Sequence, residues 1–294
     1  MAFYALSPKE NFLGIEKELS SFEDSKVVIQ SLPYEHTSSY QHGSKNGPKS
    51  ILEASHYVEF YDEELDQETY KNIGICTLKE LEFNGKVNEK AIELIEQSTN
   101  ALLRENKFIV SLGAEHTVTL GIVKAYANKY KKLSILQIDA HSDLRQEYEG
   151  NTYSHACVMA RVNELKIPIT QVGVRAQCKE EAELIKATNS ITTIYNHHLS
   201  DKNWIDDVID SLSDEVYITI DADGFDPQLI SAVGTPEPGG LKWDQGLDLF
   251  RALAHSGKKV VGFDVVEVLP REGEILTQYC MSQLIYKILG YLKF

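Results

Sequence analysis

The sequence predicts a three-layer α/β/α fold, in which a mostly parallel sheet of eight strands lies between two layers of helices. Short apolar runs rich in Val and Ile recur along the chain, and segments with helical periodicity follow most of them. Several runs are nearly continuous rather than alternating, as expected for strands that are buried on both faces. Repeated strand–helix units of this kind form parallel sheets with right-handed crossovers and helices on both faces.

The predicted strands follow the apolar runs in order. They are Lys26–Leu32, Asn72–Leu78, Phe108–Leu112, Leu133–Ile138, Pro168–Val174, Ile191–Tyr195, Glu215–Ile220 and Val260–Val268. Helices are predicted where apolar residues recur mostly three or four positions apart. They are Glu89–Arg104, Val118–Tyr130, Ala156–Leu165, Ala182–Thr188, Trp204–Leu212, Gln245–Ala254 and Leu276–Leu292.

The polar segment Ser38–Ser50 is predicted to be a loop because it contains Gly43, Gly47 and Pro48. Its sequence GSKNGPKS superficially resembles a phosphate-binding loop. That motif, however, has a longer spacing between its glycines and a Lys directly after the second. A turn is therefore the preferred interpretation. No segment has the composition of a linker, and we expect one domain over residues 1–294.

The charge balance argues against a nucleic-acid partner. With 44 acidic and 29 basic residues, the formal net charge is −15. Such a chain is poorly suited to bind a phosphate backbone and better suited to attract cations. Its four cysteines lack CxxC spacing. The N-terminus does not resemble a signal peptide, and no apolar run approaches the ~18 residues of a membrane helix. We expect a cytoplasmic protein with reduced cysteines and no membrane partner.

Metal-competent side chains follow the fourth predicted strand at alternate positions. They are Asp139, His141 and Asp143. Alternate residues of an extended chain share a face, but this segment would span ~13 Å if it were fully extended. That distance is too long for one compact site. We therefore expect the chain to bend here and to bring the three side chains together.

Two more strands end in similar side chains. Asp221 and Asp223 follow the seventh strand, and His116 follows the third. Taken singly, each residue has an ordinary structural role, since an Asp after a strand is commonly a helix N-cap. Taken together, they should meet at the carboxyl edge of one sheet. Clustered carboxylates need a cation to offset their repulsion.

These six side chains predict a binuclear metal centre. Carboxylates and imidazoles without a thiolate favour a hard or borderline ion. Mn²⁺ fits best, and Zn²⁺, Fe²⁺, Co²⁺ and Ni²⁺ are left open. Six side chains are many for a single ion that keeps an open position, whereas two ions about 3.5–4 Å apart share bridging carboxylates. The pattern indicates metal-assisted hydrolysis and does not name the substrate.

The motifs around these residues resemble those of the ureohydrolases, the family of arginases and agmatinases, and most closely those of agmatinases. The family's order is kept, from about His42 to the C-terminus, in GAEHTVTLG, IDAHSDLR, SHA, ITIDADGFDP, GTPEPGGL and GFDVVEVLP. The resemblance implies an arginase-like fold and a homo-oligomer, either a trimer or a hexamer. The family's GGDH is GAEH here, so that Ala114 and Glu115 depart from the pattern beside the ligand position.

The resemblance also implies which residues bind the two Mn²⁺ ions. The implied ligands of one ion are His116, Asp139, Asp143 and Asp221. Those of the other are Asp139, His141, Asp221 and Asp223, so that Asp139 and Asp221 bridge. Asp226 is expected to fix its loop rather than to bind metal.

Three catalytic roles follow from the same resemblance. Asp143 accepts a proton from the attacking hydroxide and passes it to the leaving amine. His155, in the segment after the DAHSD motif, relays protons to solvent. Glu267 binds the guanidinium of the substrate, and Thr235 lies beside the site. No organic cofactor is implied.

The substrate is expected to be a small cationic guanidino compound, with agmatine, which gives urea and putrescine, preferred over arginine. Residues 144–153 are acidic and aromatic, unlike the Asn-, Ser- and Thr-rich carboxylate-binding segment of arginases. Glu147 and Glu149 favour a cationic tail. Arg145 instead favours a carboxylate tail, as in guanidinobutyrate.

Several alternatives stay open at this point. Within the family they are arginase, guanidinobutyrase, guanidine hydrolase and formimidoylglutamase. Outside it they are a catalytically silent relative and a nucleotide-binding doubly wound domain. The intact set of six candidate ligands argues against the first. The lack of a glycine fingerprint after the first strand argues against the second.

Overall fold

The computed structural model describes residues 3–294 and contains one all-parallel sheet of eight strands and a small antiparallel ribbon. The strands are β1 (Val27–Leu32), β2 (Tyr61–Asp62), β3 (Gln67–Glu68), β4 (Ile75–Thr77), β5 (Phe108–Gly113), β6 (Leu133–Ile138), β7 (Ile169–Val174), β8 (Ile191–Tyr195), β9 (Glu215–Asp221) and β10 (Lys259–Val266). The order in the large sheet is β4-β1-β5-β10-β9-β6-β7-β8, and β2 pairs with β3.

Nine α-helices surround the sheet in the described chain. They are α1 (Gly47–Ser55), α2 (Thr69–Ile73), α3 (Glu89–Arg104), α4 (Val118–Lys129), α5 (Val158–Glu164), α6 (Lys179–Ala187), α7 (Trp204–Ser211), α8 (Trp243–His255) and α9 (Leu276–Tyr291). Short 3-10 helices lie at Phe12–Gly14, Lys17–Leu19, Ser44–Asn46, His155–Cys157, Asn196–His198 and Ala222–Gly224. None of the helices within residues 3–294 is long and apolar enough to cross a membrane.

The sheet has a hydrophobic core on each face. Helices α1, α2, α7, α8 and α9 pack on one face, and α3, α4, α5 and α6 on the other. Side chains of one strand alternate between the two cores: in β1, Val27 and Ile29 belong to the first and Val28 to the second. Every residue of β1 is buried, which explains the continuous apolar runs. The predicted three-layer fold is therefore confirmed.

Four adjacent strands in the middle of the sheet position the site. They are β5, β10, β9 and β6, and the metal-competent residues follow their carboxyl ends. Gly224 allows the segment after β9 to approach the end of β6. A Cβ at Gly224 would lie 2.7 Å from the backbone nitrogen of Asp139, so a side chain there would force the two strand ends apart.

Two local predictions are wrong. The predicted loop Ser38–Ser50 contains the start of α1, because Pro48 lies in the first turn, where its missing N–H has no intrahelical partner to lose. The predicted strand Asn72–Leu78 begins within α2. Gly74, with φ +60°, ends that helix and leads into the shorter strand β4.

Candidate active site

The chain bends between Asp139 and Asp143, as the spacing of the side chains predicted. Asp143 has φ +54°, in the left-handed region that residues other than glycine rarely adopt. Its carbonyl accepts hydrogen bonds from the N–H groups of Met159 (2.9 Å) and Ala160 (3.1 Å) in α5. Backbone strain of this kind, typically ~1–3 kcal/mol, persists where the surrounding structure enforces it. Here it brings Asp143 back toward the end of β6.

The first group of candidate ligands surrounds a buried histidine nitrogen. His116 Nδ1 lies 3.1 Å from Oδ2 of Asp139, 3.0 Å from Oδ2 of Asp143 and 3.5 Å from Oδ2 of Asp221. Ligand atoms of His116, Asp139 and Asp221 lie within 4.8 Å of one another. Side chains from the ends of β5, β6 and β9 thus converge on one point.

A second group lies beside the first and shares a carboxylate with it. His141 Nδ1 is 3.1 Å from Oδ2 of Asp223 and 3.6 Å from Oδ1 of Asp139. Asp139 belongs to both groups, as a bridging ligand would, whereas Asp221 belongs to the first group alone. The structure thus brings all six predicted side chains together.

The hydrogen bonds of His116 leave its Nδ1 atom available to a metal ion. Thr219 Oγ1 donates to Asp264 (2.6 Å), so the same oxygen must accept a hydrogen bond from His116 Nε2 (2.9 Å). The Nδ1 atom, buried and without a hydrogen-bond partner in the described chain, then turns its lone pair toward carboxylate oxygens. A divalent ion at this point would bind both the nitrogen and the oxygens.

The pKa values show how strongly the cluster requires positive charge. Burial and repulsion from Asp139 raise the pKa of Asp143 to about 7. Burial and the charges of Asp223 and Asp139 raise the pKa of Asp221 well above its usual value. Burial lowers the pKa of His116, but contacts with Asp139 and Asp143 outweigh it and raise that pKa. Such a cluster takes up protons unless cations balance it.

Two buried glutamines that sequence reasoning missed hold Asp139 in place. Gln137 donates to Oδ2 of Asp139 (2.7 Å), and Gln171 donates to Gln137 (2.7 Å). Thr193 in turn donates to Gln171 (2.9 Å). The signal in the sequence was a polar residue inside a continuous apolar strand, since such a residue needs a hydrogen-bond partner. A metal ligand fixed in this way keeps its orientation.

His155 is held by a segment that no sequence motif indicated. Thr37 Oγ1 accepts a hydrogen bond from the His155 backbone N–H (3.0 Å) and lies 3.2 Å from its Nδ1, while Ser39 Oγ lies 3.3 Å from Nε2. Glu115 accepts hydrogen bonds from the backbone N–H groups of Thr37 (2.7 Å) and His36 (3.1 Å). Glu115, which departs from the GGDH pattern, therefore holds the segment whose Thr37 contacts His155.

Glu267 follows β10 in a left-handed conformation, with φ +63°. Its Oε1 accepts a hydrogen bond from the backbone N–H of His116 (2.7 Å), whereas no residue among 3–294 donates to Oε2. Burial and the charge of Glu115 raise the pKa of Glu267 well above its usual value. Nearby, Thr235 donates to Oδ2 of Asp223 (3.3 Å). Asp226 accepts from the backbone N–H of Gln228 (2.9 Å), as expected of a residue that fixes its loop.

A cavity of about 540 Å³ opens onto the cluster. Its lining includes the four predicted catalytic and substrate-binding residues, Asp143, His155, Thr235 and Glu267. The expectation that Glu147 and Glu149 make this cavity acidic is wrong, because both are exposed and neither lines it. The loop that carries them turns Arg145 and Tyr148 toward the cavity instead.

Comparison with known proteins identifies the family. Residues 25–290 match the model of the arginase family. The chain belongs to this family. It is 39% identical over 295 residues to an N(1)-aminopropylagmatine ureohydrolase from Synechocystis sp., covering 98% of this chain and 95% of that relative. It is 37% identical over 261 residues to an agmatinase from Bacillus cereus, covering 86% and 87%.

A solved member of the arginase family has the same fold. The crystal structure of the agmatine ureohydrolase of Thermoplasma volcanium superposes with a TM-score of 0.83, at 34% identity, covering 92% of this chain and 91% of that one. The predicted membership in the ureohydrolases, and the predicted similarity to agmatinases, are thus confirmed. Arginase-family enzymes depend on two metal ions, and the two ligand groups that share Asp139 agree with this.

The glutamine support of Asp139 gives a first prediction. We expect Mn²⁺ to raise the melting temperature of the protein, because an ion bound only by the folded state stabilises it. Gln137→Leu removes the N–H that orients Asp139. It should raise the Mn²⁺ concentration needed for half of that increase by ~10–10²-fold. Differential scanning fluorimetry across a Mn²⁺ titration measures both effects.

A matched control is available in another strand. Gln30 is also a buried strand glutamine, but it donates to Thr99 and Ser111 rather than to a candidate ligand. Gln30→Leu should lower the melting temperature without changing the half-maximal Mn²⁺ concentration. Equal Mn²⁺ dependence in Gln137→Leu and wild type would contradict the assigned role of Gln137.

Proposed function

We propose that this chain is a manganese-dependent ureohydrolase that converts agmatine, or its aminopropyl derivative N(1)-aminopropylagmatine, to urea and an amine. One observation carries the proposal: two imidazole–carboxylate groups share Asp139, and their residues His116, His141 and Asp221 line one cavity with Glu267. The aminopropyl derivative is included because a relative named for that substrate is 39% identical over 98% of this chain.

The proposed metal ligands are the six residues of the two groups. One ion would be held by His116, Asp139, Asp143 and Asp221, and the other by Asp139, His141, Asp221 and Asp223. When bound, the two Mn²⁺ ions would supply Lewis acidity that lets water lose a proton near neutral pH. Nitrogen and oxygen donors without sulfur are those that Mn²⁺ accepts.

Glu267 is proposed to bind the guanidinium. Its Oε1 is fixed by the His116 N–H, so Oε2 can accept a hydrogen bond from a guanidinium N–H without first losing a partner in the described chain. The half-buried carboxylate gains a cation in the complex, and charge-assisted hydrogen bonds of this kind are strong and directional. The guanidinium carbon is thereby oriented beside the ligand cluster.

The overall reaction moves two protons. The water oxygen bonds to the guanidinium carbon, the bond from that carbon to the tail nitrogen breaks, and both water protons end on the leaving nitrogen. Asp143, which lines the cavity, is proposed to take the first proton and to pass it to that nitrogen. The products are urea and a primary ammonium ion.

His155 is proposed to exchange protons between this site and solvent. Burial, with the nearby imidazoles of His141 and His116, lowers the pKa of His155 to about 4, so its ring is neutral at pH 7. Thr37 Oγ1 accepts a hydrogen bond from the His155 backbone N–H. The hydroxyl hydrogen of Thr37 can therefore be donated to Nδ1 of the His155 ring. Nε2 then carries the ring proton near Ser39. The threonine thus selects the tautomer.

The substrate assignment is tested with a guanidine panel. We expect agmatine and N(1)-aminopropylagmatine to exceed arginine by at least ~10²-fold in kcat/KM, because arginine would bury an additional carboxylate. Urea release is measured at one pH with saturating Mn²⁺, and 4-guanidinobutyrate and guanidine complete the panel.

The other possible results of this panel would refute either the proposed substrate or the proposed activity. Arginine equal to or better than the amines would refute the proposed substrate. Preference for 4-guanidinobutyrate would refute it as well and would assign the tail to Arg145. If none of the compounds released urea, the proposed ureohydrolase activity itself would be wrong.

The proposed role of His155 gives a third prediction. His155→Ala should lower kcat by ~10²–10⁴-fold, as removal of a general acid/base does, and should leave bound Mn²⁺ unchanged.

Thr37→Val keeps the volume but loses the hydroxyl, and should lower kcat by about tenfold or more with little change in KM. Thr37→Ser is the control and should retain activity. A Thr37→Val enzyme with wild-type kcat would exclude the tautomer argument.

A further inference from the structure

The cavity contains one carboxylate, outside the ligand cluster and Glu267, that has no partner in the described chain. Among its lining residues, Glu181 uses both oxygens on the backbone N–H groups of Leu144 (2.9 Å) and Cys178 (2.7 Å). Glu237 differs, because its side chain forms neither a hydrogen bond nor an ion pair with any residue from 3 to 294. It is half-buried and faces the cavity.

The two cationic side chains of the cavity do not neutralise Glu237 by contact. Arg175 donates to backbone carbonyls, including those of Asp223 (2.6 Å) and Glu237 itself (3.1 Å), and to no carboxylate. The guanidinium carbon of Arg145 lies 5.2 Å from the centre of the Tyr148 ring, and that side chain forms no ion pair with a described residue. The Glu237 carboxylate is therefore available to a ligand.

The position of Glu237 is fixed relative to the ligand cluster. Glu237 lies between Pro236 and Pro238. The φ angles of the two prolines are fixed, and the residues that precede them, Thr235 and Glu237, favour extended backbone. Arg175 ties its carbonyl to the segment after β9. Two residues earlier, Thr235 donates to Asp223 (3.3 Å). One end of this short rigid segment touches the cluster, and the other carries Glu237.

The length of that segment matches the length of the proposed substrate. Only Pro236 lies between Thr235 and Glu237, so their Cα atoms are two extended residue steps apart, which corresponds to about 7 Å. In agmatine, five bonds connect the guanidino nitrogen to the terminal nitrogen, and a fully extended chain of that length spans about 6 Å. If the guanidinium lies beside Thr235, an ammonium at this distance from it would reach the Glu237 carboxylate.

We propose that Glu237 binds the tail nitrogen four carbons from the guanidino group, and so selects substrates with an ammonium at that position. The inference rests on the proposed function and deepens it. Agmatine carries a primary ammonium there, and N(1)-aminopropylagmatine carries a secondary one, so both meet the same carboxylate. Arginine places its α-carboxylate beside this nitrogen, where Glu237 repels it.

The test compares two substrates that differ only at the tail. 1-Butylguanidine has the four-carbon spacer of agmatine and no amine. Glu237→Gln should lower kcat/KM for agmatine and for N(1)-aminopropylagmatine by ~10–10²-fold, the loss expected for a hydrogen bond to a charged group. For 1-butylguanidine it should change kcat/KM by less than about threefold. The ratio of agmatine to 1-butylguanidine is the diagnostic quantity.

Glu147→Gln is the matched control, since it makes the same chemical change at an exposed acid that does not line the cavity. It should leave the ratio at the wild-type value. Glu237→Asp, which keeps the charge on a shorter side chain, should give an intermediate ratio and serves if Glu237→Gln does not fold. Melting temperature and bound Mn²⁺ verify that each variant is intact.

The possible failures are distinguishable. If wild type releases urea but Glu237→Gln keeps the wild-type ratio, Glu237 does not bind the tail and the proposed function stands. If only N(1)-aminopropylagmatine is affected, the carboxylate contacts the outer amine and the inference is overturned. If wild type releases urea from none of the compounds, the proposed function fails and this inference fails with it.

Discussion

Mutual repulsion among buried carboxylates is the constraint on which the site depends. Asp139, Asp143, Asp221 and Asp223 are all buried at the carboxyl edge of the four central strands. Two unit charges roughly 4 Å apart interact by about 4 kcal/mol at an effective dielectric constant near 20. Several such pairs would oppose folding unless positive charge lay between them. Burial, together with this repulsion, raises the pKa values of Asp143 and Asp221.

The surrounding structure holds these groups against that repulsion. The backbone adopts positive φ at Asp143 and Glu267, and neighbouring residues bond both segments in place. Gln137 fixes one shared carboxylate, and Thr219 fixes the ring of His116. In His116 the contact restrains Nε2 and leaves Nδ1, which faces the cluster, without a hydrogen-bond partner in the described chain. Such preorganisation is what a metal centre requires, because ligands that are already oriented need little reordering on binding.

The sequence was sufficient for the parts of the site that follow strand ends. Continuous apolar runs indicate the strands, and parallel strands place their carboxyl ends at one edge. The sequence therefore predicts that His116, Asp139 and Asp221 meet, as they do in the structure. The bend at Asp143 was also predictable, because an extended segment could not have placed three ligands together.

The remaining parts depend on contacts between distant segments. Thr37 lies 118 residues before His155, and no local pattern connects them. The sequence favours Glu147 and Glu149 as the acids near the substrate tail, whereas Glu237 lines the cavity. The course of both loops depends on tertiary contacts such as the bonds from Arg175 to backbone carbonyls. The start of helix α1 is not predicted, since Pro48 is typical of a turn, whereas here it lies in the first turn of the helix.

The central claim is that two ions share Asp139. The most direct measurement is the number of Mn²⁺ ions bound per chain after equilibrium dialysis, determined by elemental analysis of wild type, Asp139→Asn and the loop control Asp226→Asn. We predict two ions in wild type and in Asp226→Asn, and at most one in Asp139→Asn. Two ions in Asp139→Asn, or fewer than two in saturated wild type, would contradict it.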